Sequence, residues 1–204
     1  MVSIPQIATN AVRRIQRVQA ITIVWMSAEA AVSLFAAWRA RSPALLAFGG
    51  DSAIELASAV VVLWRFQASA AREHAERRAA RIAGILLFTL AACVVTASLM
   101  SLLGYGEPKP TFLGIAILIA AAVFMPLLAR EKRRLSAATD SAALRADSVQ
   151  SMLCAYLSLI AMTGLVINAI WHIKWADPIA ALAVLPLILR EGWEALRGKP
   201  CDCC

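Results

Sequence analysis

"SPALLAFGGDSAIELASAVVVLWRF" (residues 42–66) has the length and apolar character of a membrane-spanning helix, except at Asp51 and Glu55. About 20 apolar residues suffice to cross a hydrocarbon core about 30 Å thick. A carboxylate near the middle of such a span costs about 2.5–3.5 kcal/mol on insertion scales. The i, i+4 step from Asp51 to Glu55 leaves both side chains on one helix face, about 40° apart. Two acids on one stripe must therefore face protein, water or a cation rather than lipid.

The rest of the chain supports a membrane setting. It has 204 residues, 61% of them hydrophobic and only 16% charged, where a soluble domain carries about 25% charged residues. Long apolar runs recur at 18–38, 44–65, 82–103, 111–129, 142–170 and 177–196. The expected fold class is all-α integral membrane, with six transmembrane helices. Residues 1–17 read as a cytoplasmic N-terminal segment, 18–196 as a six-helix transmembrane domain and 197–204 as a short cysteine-containing tail. The N-terminal stretch is polar and basic, unlike a cleavable signal peptide.

The net charge of +7 follows this topology. Only Arg39, Arg41, Lys109 and Lys174 fall at one set of span ends; the remaining Lys and Arg cluster at the other. The positive-inside rule then places both termini in the cytoplasm of a multi-pass protein of the cell (inner) membrane. The lipid bilayer is a sufficient partner for this charge, and no nucleic-acid partner is expected. Cys93 and Cys154 lie within spans and Cys201, Cys203 and Cys204 in the tail, on the reducing side, so disulfides are not expected. Ser42 with Pro43, and Asp177 with Pro178, read as helix starts for spans two and six. "GYGEPKP" (104–110) reads as a turn-rich outer loop. Trp38, Trp171 and Trp175 mark the outer interface, and Trp64 and Trp193 the inner one.

Span five carries a stripe that matches span two. Asp147, Gln150, Ser151 and Cys154 are spaced i, i+3, i+4 and i+7, again one face. At about 1.5 Å per residue, Asp51 and Glu55 lie about 18 and 12 Å above the inner boundary. Cys154, Gln150 and Asp147 lie about 20, 14 and 9 Å above it. Carboxylates, a thiol and an amide can thus converge at one depth. Such a set suits a divalent cation, with cysteine biasing it toward zinc or cadmium. Charge in low dielectric is costly, so the empty site should take protons, coupling the two ions. Taken alone, Gln150 and Ser151 read as interhelical hydrogen bonds and Cys93 as packing. Glu29, inside span one, joins this cavity as an accessory or proton relay, or makes a packing hydrogen bond. Asn168 and His172 mark an exit or sit at the interface, and His74 is solvated in a charged connection. The tail "CDCC" collects soft metal ions or is simply a reactive end.

These residues resemble the site of the cation diffusion facilitator family, proton-coupled exporters of zinc and related metals. "DSAIE" is similar to the family's Asp-x-x-x-Asp of span two, with Glu55 in place of the second acid. "RADSVQSMLC" is similar to its span-five motif, with Gln150 at the histidine position and Cys154 at the aspartate position. "WADPIAALAVLPLILREGWEAL" (175–196) looks like the sixth span. The likeness is nearest to a small bacterial branch with "LCAYLS" and a cysteine-ending tail. It implies a homodimer and a cytosolic C-terminal domain. That domain is not expected after residue 196, so dimerisation would fall to membrane contacts.

The expected function is therefore proton-coupled efflux of a divalent metal ion through a mid-membrane site between spans two and five. Zinc is the first candidate ion, with Cd, Co, Fe and Mn as alternatives, and the expected metal residues are Asp51, Glu55, Asp147, Gln150 and Cys154. The alternatives are a non-transporting metal-binding membrane partner and an exporter of organic cations. No nucleophile–base pair or phosphate-binding loop supports an enzyme, and no prosthetic group is expected.

Overall fold

The computed structural model describes residues 4–67, 72–139 and 142–197, with side chains described for 13–57, 81–138, 145 and 147–197. Trp64, His74 and the tail cysteines fall outside the described side chains. Six helices fill these ranges: α1 Ile4–Ala40, α2 Pro43–Gln67, α3 Arg72–Leu102, α4 Phe112–Thr139, α5 Ala142–Trp171 and α6 Ala176–Arg197. The expected all-helical architecture is present, and no strand occurs among the described residues.

Several helices continue well past the apolar runs. α4 extends through "REKRRLSAAT" to Thr139, a stretch rich in the good helix formers Ala, Leu, Lys, Arg and Glu. Its buried positions Leu128, Lys132, Leu135 and Ser136 keep the i, i+4, i+7, i+8 spacing of an inward face. Lys132 is therefore an interior residue, although the sequence places it in a charged connection.

The turns are set by local chemistry. Ser42 Oγ accepts the Leu45 N–H at 3.1 Å, so Ser42 caps α2 as expected and Pro43 takes the first helical position. Arg41 has φ 52° and the Ser42 N–H reaches Ala37 O at 3.1 Å, a Schellman closure of α1 with arginine where glycine is usual. His172 closes α5 in the same left-handed region, at φ 56°, its N–H bonded to Asn168 O at 3.1 Å. His172 is thus a helix-terminating residue. Asn168 anchors the neighbouring loop through Nδ2 to Pro108 O at 3.2 Å.

Asp177 departs from expectation. α6 already begins at Ala176, and the Asp177 carboxylate caps α2 instead. Its Oδ1 accepts the Ala44 N–H at 3.1 Å and its Oδ2 the Ser42 hydroxyl at 2.5 Å. With the Lys109 N–H donating to Ala40 O at 2.8 Å and a Lys174–Glu107 ion pair at 2.6 Å, the end bearing the three short connections is closely tied.

α2 occupies the middle of the bundle, packed against α1, α3, α5 and α6. Close approach to α1 depends on Gly49, where a Cβ would come within 2.8 Å of Ser33 Cβ and 3.0 Å of Leu34 N. α5 and α6 close up at Gly164, where a Cβ would lie 2.4 Å from Ala180 Cβ. Small residues at helix crossings are what packing in lipid favours. Leu45, Phe48, Leu118, Leu157, Val184 and Ile188 are fully buried, whereas Val24, Phe35, Phe112 and Val123 lie exposed on the periphery. An apolar exterior around a partly polar interior suits lipid as the surrounding solvent.

Among the described residues, four stretches are long and apolar enough to cross a membrane: Arg13–Ala40, Arg81–Leu102, Phe112–Ala138 and Asp147–Trp171. The side chains of α2 are described only as far as Ala57, and α6 carries Arg190, Glu191 and Glu194 in its second half. These two helices, which carry the acids, pack against each other in the interior.

Candidate metal centre

Three carboxylates meet at the contact of α2 and α6. One oxygen each from Asp51, Glu55 and Glu191 lies within 4.8 Å of the others. Asp51 is only 1% exposed, and both of its oxygens, with Glu55 Oε1 and Glu191 Oε1, are buried without a hydrogen-bond partner. Unpartnered buried polar groups are rare, because each forfeits its hydration without compensation. Two full charges at this separation repel by roughly 3–4 kcal/mol at an effective dielectric constant near 20. Three bare charges cannot persist there: the group needs a cation or protons.

α5 supplies the facing side. Gln150 lies alongside both Glu55 and Glu191, at the depth counted from the sequence. The other two predicted α5 residues are turned to different partners. Cys154 is fully buried, and its thiol donates to Glu29 Oε1 at 3.3 Å, although it stays within electrostatic reach of Asp51 and Glu55. Asp147 forms an ion pair with Lys132, Nζ to Oδ1 2.9 Å. Its second oxygen accepts from Gln19 Nε2 at 2.8 Å. Lys132 also donates to Ser151 Oγ at 2.9 Å, and is close enough to Glu55 to act on its charge. Asp51, Glu55 and Gln150 are therefore brought together, while Asp147 and Cys154 are engaged beside them.

Glu29 accepts from three donors. Besides Cys154, its carboxylate receives the Ser52 hydroxyl at 2.7 Å and the Trp25 Nε1–H at 2.6 Å. It thereby ties α1 to α2 and α5 one residue away from Asp51. These bonds link the three helices beside Asp51.

The sequence reading missed Glu191. At about 1.5 Å per residue it lies about 21 Å from the start of span six, against about 18 Å for Glu55 in span two. That depth match was available. "LREGWEALR" hides it, because charges at a span end read as interfacial.

A helical bundle with an apolar exterior and inward-turned, unpartnered acids is the construction of a membrane protein that handles cations. The chain matches the cation efflux transmembrane domain over residues 20–198, and it belongs to that family. It is also similar to an uncharacterized transporter from Synechocystis sp., with 29% identity over 165 residues, covering 76% of this chain and 53% of the relative. The chain thus spans about half the length of the curated relative it matches.

Proposed function

We propose that the protein exports a divalent metal ion in exchange for protons, using Asp51 and Glu55 of α2 as ligands and Gln150 of α5 as a flanking group. The observation that carries this reading is the burial of Asp51 with both oxygens unpartnered. A structural acid in such a place would be expected to hold a donor, as Glu29 and Asp177 do. Proton coupling follows from charge. When the metal leaves, protons must replace it to relieve the repulsion among the carboxylates. The ligands bind metal only when deprotonated, so lowering the pH weakens metal binding. Asp147, Cys154 and Glu29 hold the surrounding helices in register rather than the ion. The site lies in the cell membrane of a protein with cytoplasmic termini, and the working unit is a homodimer joined through membrane-embedded faces.

Reconstitution tests the reading. In proteoliposomes, wild-type protein should move Zn²⁺, Co²⁺ or Mn²⁺ when a pH gradient is imposed, with counterflow of protons reported by a trapped dye. Asp51→Asn should abolish both fluxes while eluting as a folded species on size exclusion. Metal flux equal to wild type in Asp51→Asn would discard the site, and metal flux indifferent to the pH gradient would discard the coupling.

A further inference from the structure

We propose that Glu191 of α6 is a third ligand of the transported ion, and that the resulting all-oxygen donor set selects hard divalent cations of the Mn²⁺ type over soft ones such as Cd²⁺. The proposal rests on the α2 site assigned above and adds to it a ligand from another helix and an ion class.

Three observations converge. Glu191 contributes a carboxylate oxygen within 4.8 Å of one from Asp51 and one from Glu55, a spacing that a single ion can bridge after small side-chain adjustments. Asp51, 1% exposed, has both oxygens buried without partners and brings one of them into that same space. Glu191 Oε1 is likewise buried and unpartnered, while the neighbouring Arg190 is bonded to Glu194 at 2.9 Å. The pocket of charge is thus left facing inward.

The donor chemistry then decides the ion. No sulfur or imidazole nitrogen belongs to the group among the described residues. The nearby thiol of Cys154 is committed to Glu29 at 3.3 Å, and His172 terminates α5 at the end remote from Gln150. What remains is three carboxylates and the carboxamide of Gln150. Carboxylate and carbonyl donors suit Mn²⁺, Mg²⁺ and Ca²⁺, whereas thiolate draws softer ions. Mg²⁺ surrenders its water reluctantly and Ca²⁺ takes 6–8 oxygens, so a small three-acid site in a membrane interior fits Mn²⁺ best. Because ligands come from both α2 and α6, ion binding also draws these helices together, and release requires that they part.

Binding of Mn²⁺ and Cd²⁺ to the full-length protein in detergent, measured by calorimetry, tests the assignment. Glu191→Gln should weaken Mn²⁺ by about tenfold or more, the loss of one charged ligand. Glu191→Cys should raise the ratio of Cd²⁺ to Mn²⁺ affinity by about tenfold or more over wild type, because a thiolate now enters the shell. Asp51→Asn should abolish binding of both ions. If Glu191→Gln binds Mn²⁺ as wild type does while Asp51→Asn binds none, Glu191 is no ligand and the α2 site survives. If Asp51→Asn also binds normally, the α2 site itself is wrong. Should Glu191→Gln fail to fold, Glu191→Cys still decides: an unchanged Cd²⁺ to Mn²⁺ ratio overturns the ligand role.

Discussion

The thiol of Cys154 and the carboxylate of Glu29 are hydrogen-bonded, Sγ to Oε1 at 3.3 Å, across the interface of α5 and α1. Sequence spacing brings Cys154 to the depth of Asp51, but this bond turns its sulfur toward α1. A hydroxyl can donate the same bond. Cys154→Ser is therefore expected to keep divalent-metal affinity within about threefold of wild type, a change well under 1.4 kcal/mol. Cys154→Ala removes a donor from a buried acid and should lower stability by about 1 kcal/mol. Metal titration and thermal unfolding in detergent check both. A loss of affinity of an order of magnitude in the serine variant would return the thiol to the ligand set.

Lys132 and Asp147 form a second interior pairing, which also decides why Asp147 stands apart from the carboxylate group. The ammonium is fully buried and donates to both Asp147 and Ser151, while the Asp147 side chain is 32% exposed. Removing one member of a fully buried pair costs about 3–5 kcal/mol, and the partial exposure of Asp147 places this pair toward the lower figure. Asp147→Asn is expected to destabilise more than Lys132→Met, because it leaves a fully buried ammonium without its counter-charge, whereas Lys132→Met leaves a part-exposed acid that still accepts from Gln19. The double variant Lys132→Met with Asp147→Leu should recover much of the loss, since paired replacement by apolar groups is often neutral. Unfolding midpoints of the two single variants and the double variant supply the cycle. Additive losses would show that the two residues act independently.

How much of this was legible depends on where each charge lies. Asp51 and Glu55 stand out because they interrupt hydrocarbon, and nothing nearby in the sequence accounts for them. The Ser42 cap is equally legible, since its Oγ serves the residue three positions on. Glu191 is masked by Arg190 and Glu194 at a helix end where charge is ordinary. Lys132 is masked by the run "REKRR", in which four of five residues are charged with one sign. Only helical phase separates them: Arg130, Arg133 and Arg134 are exposed while Lys132, Leu135 and Ser136 are buried. That phase becomes informative once α4 is known to continue to Thr139. Asp147 shares a face with Gln150, as the spacing requires, but a face is wide enough to serve two neighbours. One-dimensional spacing fixes the face, and the packing of α1 and α4 decides which neighbour each side chain meets.

Asp177 shows the same limit and carries the last prediction. An Asp-Pro pair at the start of a helix reads as a cap for that helix, yet its carboxylate serves α2, holding Ala44 N–H and the Ser42 hydroxyl. Both Asp177 and Ser42 are almost wholly buried, so water cannot replace a lost acceptor. Asp177→Ala leaves two buried donors unmatched at about 1–3 kcal/mol each, less whatever the Ser42 hydroxyl recovers by turning to another acceptor. A net loss of about 2–4 kcal/mol is expected from these terms together. Asp177→Asn keeps an oxygen for Ala44, and its amide can donate to the Ser42 hydroxyl, so it should lose about 1 kcal/mol or less. Unfolding in detergent orders the three proteins as wild type, then asparagine, then alanine. Metal flux from the folded asparagine variant separates a cap from an ion-handling acid. Flux near the wild-type rate is expected of a cap, whereas a collapse of flux in a protein as stable as wild type would make Asp177 a member of the ion path.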